Sequence, residues 1–244
     1  MIFGLAKIDC DQNTRNRSMA VSVPDITPSE FTAHIASFNE CNAYAIDCSW
    51  MTLPDDLHLE HGSVDTHSTG AVYNDNFRQR VVFDQRFASP PRVCVWLQEI
   101  DYPSHVEAGL AANVFTSIVV TTDNISDNSF TLSITSWANR KYRSVRAGWF
   151  AYPAEEDGKR VKSGRNTVAR AQGVLKQNSG FYGQPFSRTP ATFIAISKVD
   201  FGYNANLRMM CRANAPNPQT LEWEYGTWSD SNMDSAEVTW IAIE

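Results

Sequence analysis

No apolar run in the chain approaches the roughly 20 residues that cross a bilayer, so membrane insertion is not expected. The first residues, MIFGLAKIDCDQ, lack the basic opening of a secretory leader. That places the chain in the cytoplasm unless it is exported without a leader. Basic charge is also short: 21 Lys and Arg against 27 Asp and Glu leave a net charge of −6, which disfavours a phosphate-reading surface and a nucleic-acid partner. The five cysteines, Cys10, Cys41, Cys48, Cys94 and Cys211, form no CxxC pair and no zinc-like group with histidine. Their number is odd, and Cys94 and Cys211 sit inside apolar strand patterns, so all five read as reduced thiols. Catalytic signatures are missing too: no G-x-S-x-G, no H-E-x-x-H, no Walker loop and no G-x-G-x-x-G. The expectation is a protein that is not an enzyme and carries no cofactor. His58, His61 and His67 lie beside Glu60 and Asp65, but their spacing fits no ligand set. They read as a solvated linker without a metal.

Helical periodicity is confined to SHVEAGLAAN, Ser104 to Asn113. The rest reads as short strands rich in β-branched and aromatic residues, such as PPRVCVWLQEI, NSFTLSITSW, TPATFIAISKV and SAEVTWIAI. Turn signals such as Asp-Asn, Asn-Pro and Ser-Asp separate them. Many short strands with regular turns predict an all-β chain of antiparallel sandwiches.

The strands recur. An aromatic residue and a tryptophan stand twelve positions apart at Phe38/Trp50, Trp137/Trp149 and Trp228/Trp240. A bulky apolar residue precedes each pair by seven positions: Phe31, Phe130 and Leu221. Each block opens on an apolar strand ending in aspartate: FGLAKID (Asp9), VWLQEID (Asp101) and FIAISKVD (Asp200). The aspartates are 92 and 99 residues apart, a repeat of whole small domains rather than of solenoid units. The expected domains are residues 1–53, 59–153 and 158–244, with linkers at Pro54-Asp55-Asp56 and at Ala154 to Gly158. Repeats 2 and 3 carry an N-terminal portion of about thirty residues that repeat 1 lacks, which leaves a sheet edge of repeat 1 open; another segment or another chain filling that edge and a truncated chain start are the alternatives.

Repeat 3 reads TPATFIAISKVD, then NLRMMCR, then LEWEYGTWSDSNMDSAEVTWIAIE; repeat 2 reads FASPPRVCVWLQEID and NSFTLSITSWANRKYRSVRAGWFAY. This order resembles the H-type lectin domain family, the fold of snail agglutinins and of the discoidin C-terminal domain. The resemblance implies six-stranded antiparallel β-sandwiches that assemble in threes. It also implies binding of galactose or N-acetylgalactosamine in shallow clefts between neighbours, without a metal. Roles in adhesion or self-recognition go with such binding. A sugar offers hydroxyls that need fixed donors and acceptors, and C–H faces that pack on aromatic rings.

By that resemblance the sugar-contacting arginine falls on Arg208, eight residues after Asp200, and the site turn on Trp228, Ser229 and Asp230. Arg17 keeps the same spacing from Asp9, with a turn at Phe38, Asn39 and Glu40. Repeat 2 has Phe115-Thr116-Ser117 where the arginine should be, and its turn is Trp137, Ala138 and Asn139. A neighbour's N-terminal loop would complete each site; repeat 2 offers Asn74 and Asp75 in that place, repeat 3 only Ala171-Gln172-Gly173. Arg208 and Arg17 read either as sugar contacts or as inter-repeat ion pairs, and Trp137 and Trp228 either as cleft walls or as buried packing. Trp50, Trp149 and Trp240 alternate with apolar neighbours and read as core; the three aspartates read as strand-end hydrogen-bonding residues.

Three copies of a domain that assembles in threes predict an intrachain pseudo-trimer; beads on a string that form homo-oligomers are the competing picture. Three functions stand: a multivalent lectin; a scaffold that kept the fold and lost its sugar sites; and an enzyme or the carbohydrate-binding appendage of one, against which the lack of any catalytic signature speaks.

Overall fold

The computed structural model describes residues 1–11, 16–69, 73–103, 116–137, 141–172, 175–181, 184–202, 206–214, 216–229 and 231–244; the side chains of 68, 69 and 168–181 are outside it. The helix expected at 104–113, and the site residues Asn139 and Asp230, lie outside the described residues, as do Phe115, Ala138 and Gly173.

Repeat 1 supplies β1 (Ile2–Cys10), β2 (Arg17–Ile26), β3 (Phe31–Ser37) and β4 (Ala43–Met51). Repeat 2 supplies β5 (Glu60–Asp65), β6 (Asn76–Val82), β7 (Arg92–Tyr102), β8 (Thr116–Asp123), β9 (Ser129–Thr135) and β10 (Ser144–Tyr152). Repeat 3 supplies β11 (Val161–Gln172), β12 (Leu175–Phe181), β13 (Ala191–Phe201), β14 (Leu207–Asn214), β15 (Thr220–Gly226) and β16 (Asn232–Ile243). Glu60–Asp65, expected as part of a solvated linker, is a strand paired to β10, followed by a 3-10 turn at Thr66–Thr69. Backbone pairing overrides its polar composition, because an edge strand needs only one apolar face.

The strands form three antiparallel sheets, ordered β12-β15-β14-β1-β4, β3-β2-β7-β10-β5 and β11-β16-β13-β8-β9-β6. Each sheet takes strands from two repeats. β1 of repeat 1 joins β14 of repeat 3, β2 of repeat 1 joins β7 of repeat 2, and β8 of repeat 2 joins β13 of repeat 3. These three junctions close a ring around a pseudo-threefold axis. No repeat owns a complete sheet, so the repeats are not independent beads.

The aspartate-ending strands share a second device. Pairing with the closing tryptophan strand shifts register between Leu5 and Lys7, between Leu97 and Glu99, and between Ile196 and Lys198. The skipped residues, Ala6, Gln98 and Ser197, are β-bulges at equivalent places. Before each bulge Leu5, Leu97 and Ile196 face the sandwich core; after it Ile8, Ile100 and Val199 do. One extra residue inverts the in–out alternation. The bulge therefore keeps Asp9, Asp101 and Asp200 out of the core and turns them toward the junctions.

A second apolar cluster lines the axis: Ile2, Cys94, Trp96, Phe193, Ala195 and Ile241 among others. Equivalent positions carry Gly4, Trp96 and Ala195. One indole fills the space that three equal side chains could not share. Trp96 is 1% exposed, its Nε1–H donates to the Phe3 carbonyl at 2.6 Å, and its ring lies 4.7 Å from that of Phe193. A Cβ on Gly4 would stand 2.4 Å from Trp96 Cδ1.

Repeat 1 has no counterpart of β5/β6 or β11/β12 among the described strands, so β3 and β4 end their sheets. This reverses the expectation for Trp50. Trp149 is 7% exposed under Gly62, but Trp50 is 50% exposed, with Phe31 at 4.9 Å as its ring partner. Trp240, half-buried, lies against Gly164. Among the described residues no helix is long and apolar enough to cross a membrane.

Candidate functional site

Each junction sets a bulge-turned aspartate against the neighbouring repeat. At the repeat 3/repeat 1 junction the ladder places Asp9 opposite Arg208. Arg208 Nε donates to Asp9 Oδ1 at 3.1 Å, with side-chain exposures of 14% and 15%. Lys7, two residues before the aspartate, lies 5.5 Å from the centroid of the half-buried Trp228 ring. Ser229, exposed and at φ 58, turns the chain after it. Ser231 Oγ accepts from the Arg208 amide at 3.2 Å and donates to the Asn206 carbonyl at 2.8 Å, fixing the base of the turn. Tyr44, 59% exposed, donates to Asp11 Oδ2 at 2.9 Å. That bond raises its hydroxyl above the usual phenol value, against the pull of nearby Arg208. The junction thus gathers a guanidinium–carboxylate pair, an ammonium, a second carboxylate, a half-buried indole and an exposed phenol.

At the repeat 1/repeat 2 junction Ser18 stands opposite Asp101 and donates to its Oδ1 at 2.6 Å. Asn39 Nδ2 donates to Asp101 Oδ2 at 2.9 Å, and Asn16 Nδ2 donates to the Asn39 carbonyl at 2.6 Å. Asn39 and Glu40 are held at φ 50 and 60, left-handed values that asparagine tolerates and glutamate seldom adopts. Phe38 is half-buried, its amide bonded to the Ser18 carbonyl. Glu99, at the place of Lys7, is ion-paired to Arg146 Nη2 at 2.7 Å and accepts from Ser144 Oγ at 3.0 Å. Asp65, His67 and Glu99 bring three ligand atoms within 4.8 Å of one another. Arg146 bridges both carboxylates, so the group is an ion-pair network whose charge a metal would have to displace.

At the repeat 2/repeat 3 junction Ser117 Oγ donates to Asp200 Oδ1 at 2.8 Å and Ser235 Oγ to its Oδ2 at 3.4 Å. Lys198 lies 5.3 Å from the centroid of the half-buried Trp137. Away from the clefts, a cavity of about 310 Å³ opens between repeats 2 and 3, with Arg92, Tyr152, Asp157 and Ser163 in its wall.

Two sequence assignments change. Arg17 keeps the spacing of Arg208 but not its place: Ser18 faces Asp101, and Arg17 stands opposite Tyr102 with Nη1 donating to Thr116 Oγ1 at 2.5 Å. Burial there pulls its guanidinium below the ordinary arginine value. One residue of register puts a side chain on the other face, which residue counting along one chain does not reveal. Asn74 and Asp75 pair with their own repeat, Asn74 with Tyr142 and the Asp75 carbonyl with the Ser136 amide at 2.8 Å. Asp65 and His67, earlier in the same repeat, meet Glu99 instead. Tyr44, Asp11 and Lys7 were not anticipated; the only hint was Lys7, Glu99 and Lys198 recurring two residues before the aspartates.

A family model for the H-type lectin domain matches residues 1–52, 78–152 and 180–243, most of the chain. The chain is also similar to a protein of Fuscovulum blasticum described as "ATP synthase subunits region ORF 7", 32% identical over 62 residues. That match covers 25% of this chain and 54% of the relative, so the chain spans about half the length of the curated relative. No solved structure matches.

Proposed function

The chain belongs to the H-type lectin domain family, in three tandem copies, and from this premise we propose that it binds carbohydrate non-catalytically in the clefts between its repeats. The cleft between repeats 3 and 1 is the principal site. The observation that carries this reading is the Arg208–Asp9 pair at a junction where Lys7 also lies over Trp228 and the exposed Tyr44 bonds to Asp11. A fixed guanidinium and carboxylate present donors and acceptors to vicinal hydroxyls, and the two rings present apolar area to the sugar's C–H face. The preferred ligand class is galactose or N-acetylgalactosamine. Ser229 stands where the snail agglutinins usually have histidine, and its exposed hydroxyl supplies the turn's polar contact.

The clefts are unequal. Repeat 2 has Ser117 in the arginine's place, and Asn39 at the repeat 1/repeat 2 cleft is bonded to Asp101. One strong site with weaker companions gives modest avidity, because each added site raises the effective concentration only when it binds. A scaffold role has one observation in its favour: all three junction aspartates are engaged by the neighbouring repeat. A glycan array on wild type, Arg208→Ala and Tyr44→Ala decides between them. Binding that falls in both variants supports the site. A blank wild-type array moves the function to a scaffold, and undiminished binding by both variants removes this cleft from consideration.

A further inference from the structure

Repeat 1 differs from repeat 3 at two positions, and the two differences touch. The residue after the junction aspartate is Tyr102 in repeat 2 and Phe201 in repeat 3, both buried; in repeat 1 it is Cys10. Three residues after the aromatic that opens the site turn stands Ser231 in repeat 3 and Cys41 in repeat 1. Ser231 Oγ accepts from the amide of Arg208, which lies opposite Asp9. Cys41 Sγ likewise accepts from the backbone of Ser18, which lies opposite Asp101. A thiol therefore takes the hydroxyl's place at the base of the turn. Together the two exchanges set the Cys10 and Cys41 sulfurs 3.5 Å apart across 31 positions of chain.

Cys10 is fully buried and Cys41 half-buried, so a small solute reaches Cys41 first. The other three cysteines are placed differently. Cys48 Sγ donates to the Ser49 carbonyl at 3.3 Å, and Cys94 and Cys211 are packed among apolar side chains. The pair also lies between two junctions. Cys10 follows Asp9, ion-paired to Arg208 of repeat 3. Cys41 follows Asn39 and Glu40, both left-handed, and Asn39 holds Asp101 of repeat 2. The Cys41 amide closes this turn on the Phe38 carbonyl at 3.0 Å.

We propose that Cys10 and Cys41 form a dithiol that hydroperoxides oxidise to a disulfide, stapling the repeat 1 turn to the end of β1. Cys41 attacks as the thiolate, which the hydrogen bond from Cys10, the Ser18 backbone and the Arg17 guanidinium favour against burial. Its sulfur bonds to one peroxide oxygen, the O–O bond breaks, and the other oxygen takes up the Cys41 proton and leaves as water or alcohol. The Cys10 sulfur then attacks the sulfenic sulfur: the S–S bond forms, the S–O bond breaks, and the hydroxide departs with the Cys10 proton as water. Two thiols are oxidised and one peroxide is reduced. The sulfurs are already in contact, so closing the bond asks for side-chain rotation rather than movement of a strand. The inference does not rest on sugar binding.

Treating the whole reduced protein with hydrogen peroxide tests this. A peptide map should show one internal link, Cys10 to Cys41, reversed by dithiothreitol, and the amides of residues 38–42 should exchange more slowly in the oxidised protein. In Cys10→Ser, dimedone should trap a sulfenic acid on Cys41 roughly tenfold or more faster than on Cys48, and Cys41→Ser should form no link. The wild-type map and exchange decide the matter even where a serine variant fails to fold. No link, a link through Cys48, Cys94 or Cys211, or unchanged exchange in the turn would overturn the proposal, as would dimedone labelling of Cys48 ahead of Cys41.

Discussion

Replacing Gly4 by alanine should weaken the whole ring, although it adds a single methyl group. The new Cβ would meet Trp96 Cδ1 at 2.4 Å, Trp96 Nε1 at 2.8 Å and Ala195 Cβ at 2.9 Å. The indole has nowhere to retreat. It is 1% exposed, packed against Phe193 and tied by Nε1 to the Phe3 carbonyl. Overpacking of this kind costs about 1–3 kcal/mol, and stretching a buried hydrogen bond adds about 1 kcal/mol. A total of roughly 2–4 kcal/mol lowers Tm by about 4–16 °C for a chain of this size. Thermal melts and urea titration measure both. Trp96→Phe in the Gly4→Ala background should recover part of the loss, because phenyl vacates the pyrrole position; the coupling expected between contacting residues is about 0.5–3 kcal/mol. A Gly4→Ala protein within about 1 °C of wild type, or costs that simply add in the double variant, would refute the idea that one indole fills the axis at glycine's expense.

Unfolding followed by fluorescence and by circular dichroism should give a single coincident transition, because every sheet spans two repeats; separate steps would show independent domains. Light scattering should return a particle of 27.3 kDa, whereas a stable multiple of that mass would contradict the closed intrachain ring. Arg208→Ala leaves the Asp9 carboxylate without its guanidinium and should cost about 1–2 kcal/mol after allowance for partial exposure; a neutral result would show the pair to be loose. The Cys10 and Cys41 sulfurs are 3.5 Å apart. The hydrogen bond from Cys10 holds Cys41 below the ordinary thiol range, while the same bond and, after it, burial push Cys10 up. A lowered pKa keeps the thiolate present at lower pH, so iodoacetamide should label Cys41 first and its rate should level off at lower pH than that of a free cysteine. Mass spectrometry showing Cys48 labelled first would reverse that order.

The repeat was legible because strands are written locally. Alternating apolar residues, proline turns and a tryptophan twelve residues after an aromatic mark the same elements three times. The exposure of Trp50 was not legible: its apolar neighbours resemble those of Trp149 and Trp240, and only the missing partner strand leaves it exposed. The junction contacts were half-legible. Arg208, assigned by its spacing from Asp200, pairs with Asp9 of the neighbouring repeat, but Arg17 satisfied the same spacing and landed on the other face.

What the sequence determined alone is the all-β class, the threefold repetition and the inequality of the copies, since side-chain alternation and turn chemistry act over a few residues. Tertiary structure decided which strand lies beside which. Asp9 meets Arg208 across 199 residues of chain, and a single bulged residue at Ala6, Gln98 or Ser197 decides whether an aspartate faces core or cleft. Register between strands is set by packing on both faces of a sheet at once, and at the axis by one tryptophan that fits only because its counterparts are glycine and alanine.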